Sequence, residues 1–167
     1  MTLKAQNQNE KLMKGWSELK KAHVEAVVML TEMYQGHDIY FLARDSELLY
    51  DTAKIVLQNE PERLKRIHLL NISRANLAAN NIKDYLKQEG ISNELLAQGK
   101  KVLFVDTGFS GSIPTTIRTY FPLEFENSLQ SHLITSVTGR YPSTRVFLTA
   151  LEPNAPKITQ GKRPSSP

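Results

Sequence analysis

One segment of the chain combines residues that could bind a phosphate with a neighbouring carboxylate that could bind another part of the same ligand. Four apolar residues at 102–105 are followed by Asp106 and by a loop rich in Gly, Ser and Thr, and Pro114 then opens a helix. Small residues at the start of a helix let backbone N–H groups approach an anion closely. The segment therefore predicts a phosphate-binding loop beside a carboxylate.

The loop and the carboxylate have different expected roles. Asp106 would repel a bare phosphate, so we expect it to bind a ribose hydroxyl, or a water molecule on Mg²⁺. The alternative is a purely structural turn in which Ser112 caps the helix before Pro114. The density of small residues favours binding, because a plain turn needs only one Gly. The expected donors to the phosphate are Thr107, Gly108, Ser110, Gly111 and Ser112.

Two further polar segments directly follow apolar runs. Arg44 and Asp45 come after the first run, and Ser73 and Arg74 come after the second. The planar guanidinium of either arginine could grip a phosphate, and Ser73 could add a hydroxyl donor. Asp45 could serve as a metal ligand, as a base or merely as a helix cap. The alternative for Arg44 and Asp45 is a capped helix whose arginine faces water, and the alternative for Arg74 is an ion pair with surface carboxylates.

The elements that must position these residues follow from hydrophobic periodicity. Apolar residues recur every three to five positions from Asn9 to Tyr34, which predicts an amphipathic helix that Trp16 fixes to the core. The expected strands are 38–42, 66–72, 101–105, 132–137 and 145–151. The other expected helices are 47–58, 78–88, 92–98 and 113–120.

Strands that alternate with helices predict an α/β fold. We expect a mostly parallel sheet of about five strands, with helices on both faces and an added N-terminal helix. Because the carboxyl ends of parallel strands lie at one edge of the sheet, the three polar loops should meet in one cleft. We expect a single domain over 9–151, a disordered N-terminus at 1–8, and an extended or disordered tail at 152–167.

The composition of the 167 residues excludes several classes of protein. The absence of Cys excludes disulfides, thiolate chemistry and cysteine-bound zinc. No apolar run reaches about 18 residues and no apolar segment opens the chain, so we expect no membrane partner and a cytoplasmic location. A solvated surface explains the net charge of +4 as well as phosphate binding does. The expected partner is a phosphorylated small molecule rather than a nucleic acid, and the chain could also form a homodimer.

The order of these motifs resembles the phosphoribosyltransferase-like fold over roughly 38–151. In that family an apolar strand, two acids and a Thr-Gly-x-Thr loop bind the ribose phosphate of phosphoribosyl pyrophosphate. Asp106 keeps the second acid of that pattern, whereas Val105 replaces the first. Ser110 and Gly111 stand for Thr-Gly, and Ile113 replaces the last Thr.

The resemblance implies a glycosyl transfer assisted by Mg²⁺. Asp106 would bind the ribose hydroxyls, and the 107–112 loop would hold the 5′-phosphate. Arg44 and Arg74 would neutralise the pyrophosphate as it departs. By the same carry-over, 43–46 would be the pyrophosphate loop.

Three short runs, 41–45, 72–74 and 104–112, are also similar to a domain of bacterial surface-glycan proteins that follows a haloacid-dehalogenase-like domain. Ser46 stands where that domain usually has Gly. This resemblance supports a shared cleft more than a reaction. A haloacid-dehalogenase-like phosphohydrolase ranks second, because it needs an Asp-x-Asp pair after the first strand and only Asp45 and Glu47 stand there. A non-catalytic binding module is the third reading.

Overall fold

The computed structural model of the chain describes residues 3–43, 46–77, 81–107, 111–134 and 144–146, and gives no side-chain placement for 3–12, Arg74 or 144–146. The expectations for the tail at 152–167 lie outside these described residues. So do those for four site residues: Arg44, Asp45, Gly108 and Ser110.

The described chain forms an α/β fold around a sheet in which every strand pair is parallel. The strands are β1 (His37–Leu42), β2 (Ile67–Leu70), β3 (Lys101–Asp106), β4 (Leu129–Leu133) and the three-residue β5 (Thr144–Val146). The helices are α1 (Leu3–Met33), α2 (Glu47–Val56), α3 (Pro61–Leu64), α4 (Arg74–Leu77), α5 (Ile82–Gln88), α6 (Asn93–Ala97) and α7 (Ser112–Arg118), and a 3₁₀ helix covers Leu123–Ser128. The expected α/β class with a parallel sheet is confirmed.

The strand order is β2-β1-β3-β4-β5. After β1 the chain adds β2 on one side, and it then returns to add β3 on the other side. This is one of the two common orders of doubly wound sheets, and the direction in which the sheet grows reverses between β1 and β3. Ligands of such sheets bind at this reversal, beyond the carboxyl ends of the two strands.

Helices cover both faces of the sheet, as the sequence predicted. Successive side chains of a strand point to opposite faces, so Phe41 of β1 packs with residues of α1 and α2, whereas Tyr40 packs with residues of α5, α6 and α7. In β3 the corresponding pair is Val105 and Phe104. Burial on both faces explains why β1 and β3 are nearly continuous apolar runs.

Several element boundaries differ from those expected. The first helix begins at Leu3, so residues 3–8, expected to be disordered, are helical; this stretch has no Gly or Pro and is rich in helix-forming residues. The helix expected at 78–88 begins at Ile82, after the separate short helix α4. The fourth strand occupies Leu129–Leu133 rather than 132–137, because its polar residues obscure the apolar pattern.

The expectation that Trp16 fixes α1 to the core is wrong. Its side chain is 55% exposed, and the helix instead meets the core through Val27, Leu30 and Tyr34. A 31-residue helix is about 46 Å long, whereas a six-residue strand spans about 20 Å. The apolar stripe of α1 therefore continues past the part of the helix that the sheet can cover.

No helix in the described part of the chain combines the length and the apolar character needed to cross a membrane.

Replacement of Trp16 by Ala should change the free energy of unfolding by less than about 0.5 kcal/mol, because an exposed side chain leaves no cavity. Leu30→Ala on the same helix should cost about 2–5 kcal/mol, since Leu30 is fully buried. Urea unfolding of both variants checks this contrast. Similar losses for the two would mean that Trp16 is covered.

A charged cluster lies at the opposite edge of the sheet, near the amino ends of the strands. The Asp38 carboxylate lies 2.6 Å from the Lys100 ammonium and 3.7 Å from His68 Nε2. The His68 ring stacks on Tyr40, whose buried hydroxyl donates to the Glu89 carbonyl at 2.7 Å. The cluster therefore ties β1 to β2, to the entrance of β3 and to the end of α5.

Burial would raise the pKa of Asp38, but the neighbouring His68 and Lys100 side chains outweigh it and hold the pKa below its ordinary value of 3.8. A carboxyl whose pKa is lower in the folded state than in the unfolded state stabilises the fold above the unfolded pKa. That contribution is lost as the pH falls through the folded pKa.

Asp38→Asn should therefore destabilise the protein by about 1–2 kcal/mol near neutral pH, and the difference from wild type should shrink below about pH 4. Urea unfolding across this pH range measures it. The exposed carboxylate Asp51 supplies the control Asp51→Asn, which should show no such difference. A difference for Asp38→Asn that is the same at both pH values would contradict this account.

Candidate functional site

The candidate site lies at the carboxyl ends of β1 and β3, where the growth of the sheet reverses. The two strands pair in register as far as Phe41 and Val105. Asp106 follows as the last residue of β3, and its side chain is 6% exposed. Strand alternation places Asp106 on the same face as Phe104, which is the face that α7 covers. The sequence thus correctly predicted an acid at the end of a buried strand.

Beyond these residues the backbones of β1 and β3 form hydrogen bonds with different parts of the sheet. The Ala43 N–H, next to the end of β1, donates to the Leu70 carbonyl of β2 at 2.9 Å. The Asp106 carbonyl, at the end of β3, accepts from the Ile134 N–H beyond β4 at 3.0 Å. The backbone ends of β1 and β3 thus bond to β2 and to the residue after β4, and the crevice expected at such a reversal would lie between them.

Ser46 spans this crevice, a role that the sequence did not suggest. Its side chain is fully buried, and its hydroxyl donates to the Val105 carbonyl at 3.3 Å and accepts from the Thr107 N–H at 3.2 Å. Ser46 occupies the N-cap position of α2, yet its side chain makes no capping bond there. The hydroxyl serves β3 instead of its own helix.

The same bond changes what Thr107 can offer a ligand. The sequence suggested that its backbone N–H would help to hold a phosphate, but this N–H donates to Ser46. Thr107 can therefore contribute to a ligand through its side chain rather than through its amide. The signal for this contact is a long-range one, since 61 positions separate Ser46 from Thr107.

The turn between β3 and α7 ends at Gly111, which has the left-handed value φ = 61° and occupies the N-cap position of α7. The alternative in which Ser112 caps this helix is therefore wrong, because Ser112 is the first helical residue. A Cβ atom on Gly111 would lie 3.1 Å from Leu133 Cδ1. Glycine thus serves both the backbone conformation and the close approach of the turn to β4.

The second polar loop lies alongside α7. The Ser73 hydroxyl donates to Asn76 Oδ1 at 2.8 Å and accepts from the Asn76 N–H at 3.3 Å, so it holds the first turn of α4. The Tyr120 hydroxyl, just after α7, donates to the Leu77 carbonyl at the end of α4. These contacts bring the start of the Arg74 helix to the α7 side of the site.

Arg118 anchors the other end of α7, and the sequence gave it no role. Its guanidinium donates to the Ser131 hydroxyl of β4 at 3.0 Å. Burial lowers the pKa of Arg118 from its ordinary value, although Glu126 opposes this shift. Together with the contact of Gly111, this bond fixes α7 on β4 at both ends.

The described residues contain no group of three or more His, Asp or Glu side chains that could hold a metal ion by themselves. Mg²⁺ is usually bound through one or two carboxylates together with phosphate oxygens of the substrate. Asp106, a single buried carboxylate beside a small-residue turn, fits that mode of binding.

No protein-family model, no curated protein and no solved structure matches this chain.

Gly111→Ala should destabilise the protein by about 2–3 kcal/mol, because the left-handed backbone costs about 1–2 kcal/mol and the new methyl group displaces Leu133. Gly99→Ala is the matched control, since Gly99 has φ = 91° but no atom within 4 Å of the added Cβ. Thermal or urea unfolding measures both. Equal losses for the two variants would show that contact with Leu133 contributes nothing.

Proposed function

We propose that the protein binds a phosphorylated ribose or a nucleotide at the carboxyl edge of β1 and β3. The observation that carries this proposal is the buried carboxylate of Asp106 at the point where the growth of the sheet reverses, next to a turn that closes on glycine. This is the position at which doubly wound sheets bind their ligands.

The charge of Asp106 decides the orientation of the ligand. An ionised carboxylate accepts hydrogen bonds and donates none, so it attracts hydroxyl groups and repels phosphate oxygens. Adjacent hydroxyls of a ribose are the matching donors. The phosphate of the same ligand then lies toward Ser112 and the loop before it, and the sugar lies over the end of β3.

The reaction we propose is a glycosyl transfer of the phosphoribosyltransferase type. The bond between the ribose C1 and the pyrophosphate oxygen breaks, a bond from C1 to an acceptor atom forms, and the acceptor releases its proton. Asp106 would hold the ribose hydroxyls, Arg44 and Arg74 would neutralise the departing pyrophosphate, and Asp45 would serve as a metal ligand or a base. When bound, Mg²⁺ neutralises part of the charge of the pyrophosphate. Stabilisation of the leaving group is the main contribution to such a rate enhancement.

Asp106→Asn should weaken the binding of phosphoribosyl pyrophosphate with Mg²⁺ by about tenfold to a hundredfold, because hydrogen bonds to a charged group are worth about 1.5–3 kcal/mol. Asn has nearly the same shape as Asp, so the fold should persist, which circular dichroism checks. Isothermal titration calorimetry measures the affinity. Asp51→Asn, an exposed carboxylate of α2, is the control and should bind as wild type does. Unchanged affinity in Asp106→Asn would remove Asp106 from the site.

Turnover assays separate this function from its alternatives. Consumption of phosphoribosyl pyrophosphate in the presence of candidate acceptors identifies a transferase. Metal-dependent release of inorganic phosphate from a phosphomonoester would identify a phosphohydrolase instead. Binding without either reaction would identify a binding module.

A further inference from the structure

We propose that Ser46 is a positioning residue of the candidate site, and that its hydroxyl fixes the backbone on either side of Asp106. For what the site binds, this inference rests on the function proposed above. The contact between the two loops stands independently of it.

The argument begins with the two backbone groups that Ser46 holds. The Val105 carbonyl and the Thr107 N–H lie on either side of Asp106 and point to the same side of β3, toward β1. In a parallel ladder one residue of the neighbouring strand would bond to both groups. The register of β1 with β3 ends at Val105. The Ser46 hydroxyl provides both missing bonds, at 3.3 and 3.2 Å.

Because the contact is buried, its loss would leave two backbone groups without a replacement partner. Ser46 is fully shielded from solvent, so water does not readily replace the hydroxyl if it is removed. A serine hydroxyl has one hydrogen to donate and can accept in return, and both functions are used here. An unsatisfied buried amide or carbonyl is costly. The peptide between Asp106 and Thr107 is thereby held in one orientation.

Ser46 is itself fixed by the backbone of the other loop. Its N–H donates to the Leu42 carbonyl at 3.1 Å, and its carbonyl accepts from the Tyr50 N–H at 3.0 Å at the start of α2. The hydrogen bonds of Ser46 to Leu42, Tyr50, Val105 and Thr107 form one connection, which we call the clamp. It runs from the end of β1, through the first turn of α2, to the end of β3. A ligand that contacts both loops meets them at a fixed separation.

The test compares Ser46→Ala, which removes the hydroxyl, with Ser46→Thr, which retains it. The matched control is Ser92→Ala, because Ser92 is also buried and holds one backbone N–H, that of Leu95, but lies between α5 and α6. The first measurement is amide hydrogen exchange by NMR without ligand. The Thr107 amide should be protected in wild type and in Ser46→Thr, and should exchange about tenfold faster or more in Ser46→Ala relative to other β3 amides.

The second measurement is the affinity for phosphoribosyl pyrophosphate with Mg²⁺ by calorimetry. It should fall about tenfold in Ser46→Ala and stay unchanged in Ser92→Ala. An unprotected Thr107 amide in wild type, or exchange that Ser46→Ala leaves unchanged, would overturn the clamp; the wild-type result decides this even if the variant does not fold. Faster exchange with wild-type affinity would overturn the positioning role. Failure of wild type to bind this probe would contradict the proposed function, and the exchange data would still decide whether the clamp exists.

Discussion

The parallel pairing of β1 with β3 is the interaction on which the rest of this structure depends. Both strands are buried on both faces, so each must present apolar side chains in two directions. Because parallel neighbours cannot be joined by a tight turn, each strand leads into a helix that crosses one face of the sheet. The helix after β1 covers one face, and the helix after β3 covers the other. The crevice between the two strand ends is a consequence of that divergence.

The sequence predicted those elements whose apolar pattern is complete within one run of residues or on one face of a helix. The runs that became β1 and β3 stand out because each contains four consecutive apolar or aromatic residues. The start of the fourth strand was missed because Ser131 is a buried polar residue, which the pattern treats as exposed. The amphipathic pattern of α1 likewise predicts a helix, but it does not say how much of that helix the sheet can cover, and Trp16 fell outside the covered part.

The candidate site likewise contains features that local sequence determines and features that depend on contacts between distant residues. The acid at the end of a strand and the glycine of the following turn depend on local sequence, so both could be predicted. The role of Ser46 depends on a contact with Val105, which lies 59 positions further along the chain, and no local pattern contains it. The Thr107 amide was assigned to a ligand for the same reason, because its partner within the protein, Ser46, is distant in sequence. Arg118 was missed because its partner belongs to a strand that was itself misplaced.

The contact between Gly111 and Leu133 has a consequence for how this chain can diverge. A Cβ atom at position 111 would lie 3.1 Å from Leu133 Cδ1, so either the backbone at 111 or the leucine side chain would have to move aside. A smaller residue at position 133 would relieve that contact. Positions 111 and 133 are therefore expected to change as a pair among descendants of this chain, with glycine retained wherever the large aliphatic residue is kept.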